Sequence, residues 1–113
     1  MRQPTLFDSH GRSTVDAEKI ILYALGDFQS RGKILAARDL PLDRLRGAFK
    51  RAAEVFGVDE LTDEQAVNIL GALGAVVRRV PAFVAKHPYR VVVPDELAAR
   101  ARLLYGEIIA QDA

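Results

Sequence analysis

The sequence predicts an all-α or mostly α fold, a compact bundle of about four main helices with one or two short helices and at most one short extended strand. Three observations lead there. Apolar residues recur at spacings of three and four along most of the chain. Helix start and stop signals bracket those stretches. Only residues 89–93, Tyr-Arg-Val-Val-Val, are β-branched enough to read as a strand.

Residues 1–12 have no periodicity. Pro4 and Gly11 interrupt them, and they read as an extended N-terminal arm. Residues 13–113 read as a single helical domain. Ser13 or Thr14 caps the first helix, over 15–28, with Asp16 and Glu18 in its first turn. Ile21, Ala24, Leu25 and Phe28 form its inner stripe, and Gly26 weakens its end. Residues 34–40, ILAARDL, read as a short helix. Pro41 suits the first position of the next helix, over 41–56. Leu42, Leu45, Phe49, Ala52, Ala53 and Phe56 lie on one face of it, and Gly57 is placed to end it.

The strongest local signal spans 61–80, and the rest of the chain reads as organised around it. Thr62 and Gln65 have capping-box spacing, and Asp63 and Glu64 suit the positive end of the helix dipole. Arg78 and Arg79 would fall in the last turn before Pro81. Only Asn68 is polar between Ala66 and Val77, so this helix should be buried on most sides. Gly71 and Gly74 would let a neighbouring helix, or a second copy of the chain, approach closely. Residues 89–93 then form a connector, and Pro94 and Asp95 open the last helix. Leu97, Ala101, Leu104, Tyr105 and Ile108 make its stripe.

Composition narrows the function classes. Half the residues are apolar and 27% are charged, as in a soluble globular domain. There is no cysteine, hence no disulfide framework, thiolate metal site or cysteine nucleophile. The apolar run 69–77 is far short of the ~20 residues of a membrane span, and the N-terminus has no signal-peptide core. A cytoplasmic protein is expected. His10 and His87 lack partners at ligand spacing, so neither a metal nor another cofactor is expected. No phosphate loop or nucleophile elbow is present, and the carboxylates cluster at helix starts, where capping accounts for them. The expectation is no enzyme.

Two features point to partners. The first is Gln3-Pro4-Thr5-Leu6-Phe7. This peptide resembles the QxxLF motif with which bacterial replication and repair proteins bind the DNA polymerase sliding clamp. The resemblance implies that Leu6 and Phe7 fill an apolar pocket while Gln3 hydrogen-bonds its rim. Pro4 stands where the commonest version has leucine. The competing use of Leu6 and Phe7 is to fold back onto the first helix. The second feature is charge. Net charge is only +1, but residues 31–51 carry seven basic residues against Asp39 and Asp43. Residues 34–52 can be drawn as a helix-turn-helix, with Arg44, Arg46, Lys50 and Arg51 on the second helix. The expected function is thus a regulatory or accessory protein that binds the sliding clamp. A DNA-binding regulator and a dimerising helical module are the alternatives.

Overall fold

The computed structural model describes the backbone of residues 6–81, 83 and 88–112, with the side chains of all of these but 6–16 and 112. In order, the chain forms α1 (Leu6–Ser30), β1 (Asp39–Pro41), a 3-10 turn (Leu42–Leu45), α2 (Arg46–Phe56) and α3 (Asp63–Leu73). Then come β2 (Val76–Arg79), β3 (Tyr89–Val92) and α4 (Asp95–Asp112). The protein is mostly helical, as expected, but a three-stranded antiparallel sheet replaces the expected single strand.

The organising helix is α1, not the 61–80 stretch. Every residue from Ile20 to Phe28 is buried, and α1 packs against α2, α3 and α4. Its polar residues are few here, so it can present apolar atoms in all directions. The packing against α4 is tight at Gly26. A Cβ there would lie 2.3 Å from the Tyr105 Cβ and 2.7 Å from the Ala101 carbonyl oxygen. Gly26 therefore does not merely weaken a helix end; it lets two helices touch. Beside it, the Tyr23 ring meets Phe56 edge-on at 5.5 Å and Tyr105 at 4.9 Å, the tilted geometries that aromatic quadrupoles favour.

Residues 34–40 do not form the expected helix. Leu35 and Leu40 are buried, Ala37 has φ 61°, and the Ala37 amide donates to the Val93 carbonyl at 2.7 Å. The segment runs beside β3 instead of coiling. Leu40 precedes Pro41, a position biased toward extended backbone, and Pro41 itself ends β1 at φ −66°, ψ 141°. The helix expected from Pro41 accordingly begins later, after the 3-10 turn. Gly57 closes α2 as expected, with φ 68°.

The capping box at the start of α3 forms as the spacing predicts. Thr62 Oγ1 accepts from the Gln65 amide at 3.2 Å, and the Thr62 amide donates to Gln65 Oε1 at 2.9 Å. The other end differs. The helix expected to reach Val80 stops at Leu73, and Gly74 takes φ 113°, a conformation open to glycine and strained for other residues. Val76, Val77 and Val80 follow, and β-branched side chains suit a strand once the helix is broken. Arg78 and Arg79 therefore lie on β2 and not in a last helical turn. Among the described residues none lies within 4 Å of a Cβ placed at Gly71 or Gly74, so neither glycine serves helix contact among them.

The sheet order is β1-β3-β2. Residues 89–93, expected as a connector, supply the central strand. Leu40, Val91 and Val77 align across the sheet on its inner side, with Val91 and Val93 buried. Asp39, Val92 and Val76 align on the outer side, where Val76 is exposed. No helix among the described residues is long and apolar enough to cross a membrane.

Candidate interaction site

The four basic residues read from the sequence as a recognition helix do not act as one face. Arg46 bridges the starts of α2 and α3. Its Nη1 donates to Glu60 Oε2 at 2.9 Å and to the Leu61 carbonyl at 3.3 Å, and its Nη2 pairs with Asp63. Arg51 turns inward to Asp27, with Nη2 2.6 Å and Nε 2.8 Å from Oδ2. Arg44 and Lys50 remain exposed, and among the described residues no carboxylate forms an ion pair with either. Because residues 34–41 end in a β-strand, the first helix of the helix-turn-helix is missing. Two of its four basic residues are structural. That geometry does not match the motif.

Asp27 was not singled out by any sequence signal. It is the one buried charged residue among those described, 4% exposed. Arg51 from α2 and Arg31 from the turn just after α1 converge on the same oxygen, Arg31 Nε lying 3.3 Å from it. An isolated buried carboxylate would be costly, and two guanidiniums remove that cost. A polar seam continues toward α4. Gln29 Nε2 donates to the Ala98 carbonyl at 3.0 Å, and Arg102 Nη1 donates to Gln29 Oε1 at 2.8 Å.

A second charged cluster sits on the sheet. Arg78 Nη2 reaches Asp39 Oδ2 at 2.8 Å, and Arg90 Nε reaches Asp39 Oδ1 at 3.2 Å. One carboxylate thus serves two arginines from two strands. Arg79 lies over the Tyr89 ring at 5.5 Å, within reach of a cation–π contact, and has no carboxylate partner among the described residues.

The two sheet edges differ in chemistry. Hydrogen-bonded and non-bonded pairs alternate along an antiparallel ladder. The Val80 amide donates to the Pro88 carbonyl at 2.6 Å. Counting back through the register makes Arg78 with Arg90, and Val76 with Val92, the hydrogen-bonded pairs. Val77 and Arg79 then direct their N–H and C=O groups away from β3, to the free edge. On the opposite side the Val93 carbonyl accepts from Ala37, so the odd-numbered residues of β3 face β1 and Leu40 bonds to Val91. The outward positions of β1 are Asp39 and Pro41. Pro41 has no N–H, which blunts that edge. No described strand pairs with the outer side of β2.

Gln3 lies outside the described residues. Leu6 and Phe7 belong to the first turn of α1 by backbone, and their side chains lie outside the described set. His10 likewise has no described side chain, and His87 is outside the described residues. Among the described residues no group of three or more His, Cys, Asp or Glu side chains is placed to hold a metal ion. No family model, curated protein or solved structure matches the chain.

Proposed function

We propose that the protein is a non-catalytic accessory or regulatory protein that docks on the DNA sliding clamp, in replication or repair, through Gln3, Leu6 and Phe7. The observation that carries this reading is the peptide Gln3-Pro4-Thr5-Leu6-Phe7, which joins two adjacent large apolar anchors to a polar side chain at the motif's spacing. Two features support it over DNA binding. Arg46 and Arg51 already hold carboxylates, which leaves Arg44 and Lys50 for phosphate. The chain's net charge is only +1, little for a duplex-binding domain.

The test is binding of the full chain and of a Leu6→Ala/Phe7→Ala variant to a bacterial sliding clamp. Each buried anchor should contribute on the order of 2 kcal/mol, so the double variant should lose nearly all affinity. Its helical circular dichroism should stay unchanged. Failure of the unaltered chain to bind, with a lowered melting temperature in the variant, overturns the proposal and places both side chains in the core. Steep salt dependence of DNA binding that survives removal of residues 1–12 would favour the DNA-binding reading instead.

A further inference from the structure

We propose that the free edge of β2 is a docking site for an extended, acidic segment of a partner protein, which joins the sheet as a fourth strand. This inference does not rest on clamp docking. It rests on the alternation that turns the N–H and C=O groups of Val77 and Arg79 outward, a ready template for another strand. It also rests on the asymmetry of the sheet. The β1 edge is blunted by Pro41, whereas β2 contains no proline and nothing pairs with its outer side among the described residues.

Charge selects the occupant. Around this end of the sheet Arg78 and Arg90 share Asp39, and Arg79 overlies Tyr89, whose hydroxyl lies 3.5 Å from Glu64 Oε2, so three cations stand against two anions. Arg78 and Arg79 lie on the edge strand itself, and their side chains leave it on opposite faces. An added strand with carboxylates at successive positions would meet one arginine on each face. A second copy of β2 would instead set arginines of both chains along one short ladder, a like-charge arrangement that opposes pairing. Val76, 59% exposed on the outer face, offers an apolar contact to the incoming segment beside Arg78.

The probe is a capped, fluorescein-labelled octapeptide of alternating Glu-Glu and Val-Val pairs, which places carboxylates on both faces of an added strand, titrated with the full-length protein at low salt. Binding should appear as raised anisotropy. In nitrogen-15 spectra the Val77 and Arg79 amides should shift more than those of Val76 and Arg78, which already face β3. The same peptide N-methylated at alternate residues should bind at least roughly tenfold more weakly, and so should the lysine–valine peptide. Arg79→Pro removes the outward amide together with the guanidinium over Tyr89, leaves the backbone bonds to β3 in place, and should also weaken binding at least roughly tenfold with only a small fall in melting temperature. If Arg79→Pro does not fold, the N-methylated peptide makes the same comparison on the unaltered chain. The Leu6→Ala/Phe7→Ala variant should bind the peptide as the unaltered protein does. No binding up to about 1 mM overturns the proposal. Equal binding of the lysine or N-methylated peptide does so too. A doubled mass in light scattering that Arg79→Pro abolishes would show that a second copy occupies the edge, and would overturn it equally.

Discussion

Asp27 and Gly26 sit side by side on α1 and meet different neighbours. The carboxylate of Asp27, almost fully buried, holds Arg31 and Arg51 and so ties the end of α1 to α2. Removing it leaves both guanidiniums without their acceptor. Asp27→Ala should lower stability by about 2 kcal/mol, the range of a hydrogen bond to a charged group, measured by urea denaturation. Asp27→Asn keeps an acceptor oxygen and should lose less. At Gly26 the constraint is space. Alanine would improve helix propensity by about 1 kcal/mol. Its methyl, however, would fall 2.3 Å from the Tyr105 Cβ, so α4 must move. Gly26→Ala should therefore show a net loss of about 1–2 kcal/mol and a melting temperature lower by several degrees. Neither role was legible in the sequence. An aspartate and a glycine near a helix end look like ordinary punctuation, and their partners, Arg51 and Tyr105, lie far along the chain.

At the level of elements, α3 shows both what local sequence specifies and where it fails. Thr62, Asp63, Glu64 and Gln65 define the helix start within one turn, so the capping box was readable before any tertiary contact was known. Thr62→Ala should cost about 1 kcal/mol, seen as a lower urea midpoint with an unchanged slope. The end of the same helix is not marked locally, because apolar residues continue at helical spacing through Val80. Periodicity alone cannot separate a buried helix from a strand that follows a break. Gly74, at φ 113°, makes that break, and Val76 and Val77 then pair with β3. The strands were hard to read for the same reason. Each is three or four residues long, too short to show an alternating pattern of its own. The helix-turn-helix reading failed on one of these strands, because residues 39–41 join the sheet where the motif needs a helix.

For the whole molecule, the core is one cluster centred on α1, with Phe49, Leu45, Leu70, Leu25 and Val91 from different elements packed into it. Truncating its largest fully buried side chain should be felt throughout. Phe49→Ala should cost about 3–5 kcal/mol, a large part of the roughly 5–15 kcal/mol that holds a domain of this size. Calorimetry would show a single cooperative transition at a much lower temperature. What the sequence by itself determined was the helical character of the chain, the capped start of α3, the glycine end of α2 and the apolar stripes that became the core. These are signals written within one or two helical turns, where a residue and its partner are at most a few positions apart. Only the tertiary structure decided that α1 is the central helix, that Asp27 is buried, and that three short segments form a sheet with one edge blunted and one open. The bonds that create the sheet cluster join Asp39 to Arg78 and Arg90, 39 and 51 positions away. Strand pairing and buried ion pairs form between residues distant in sequence. Nothing local marks them until folding brings the partners together.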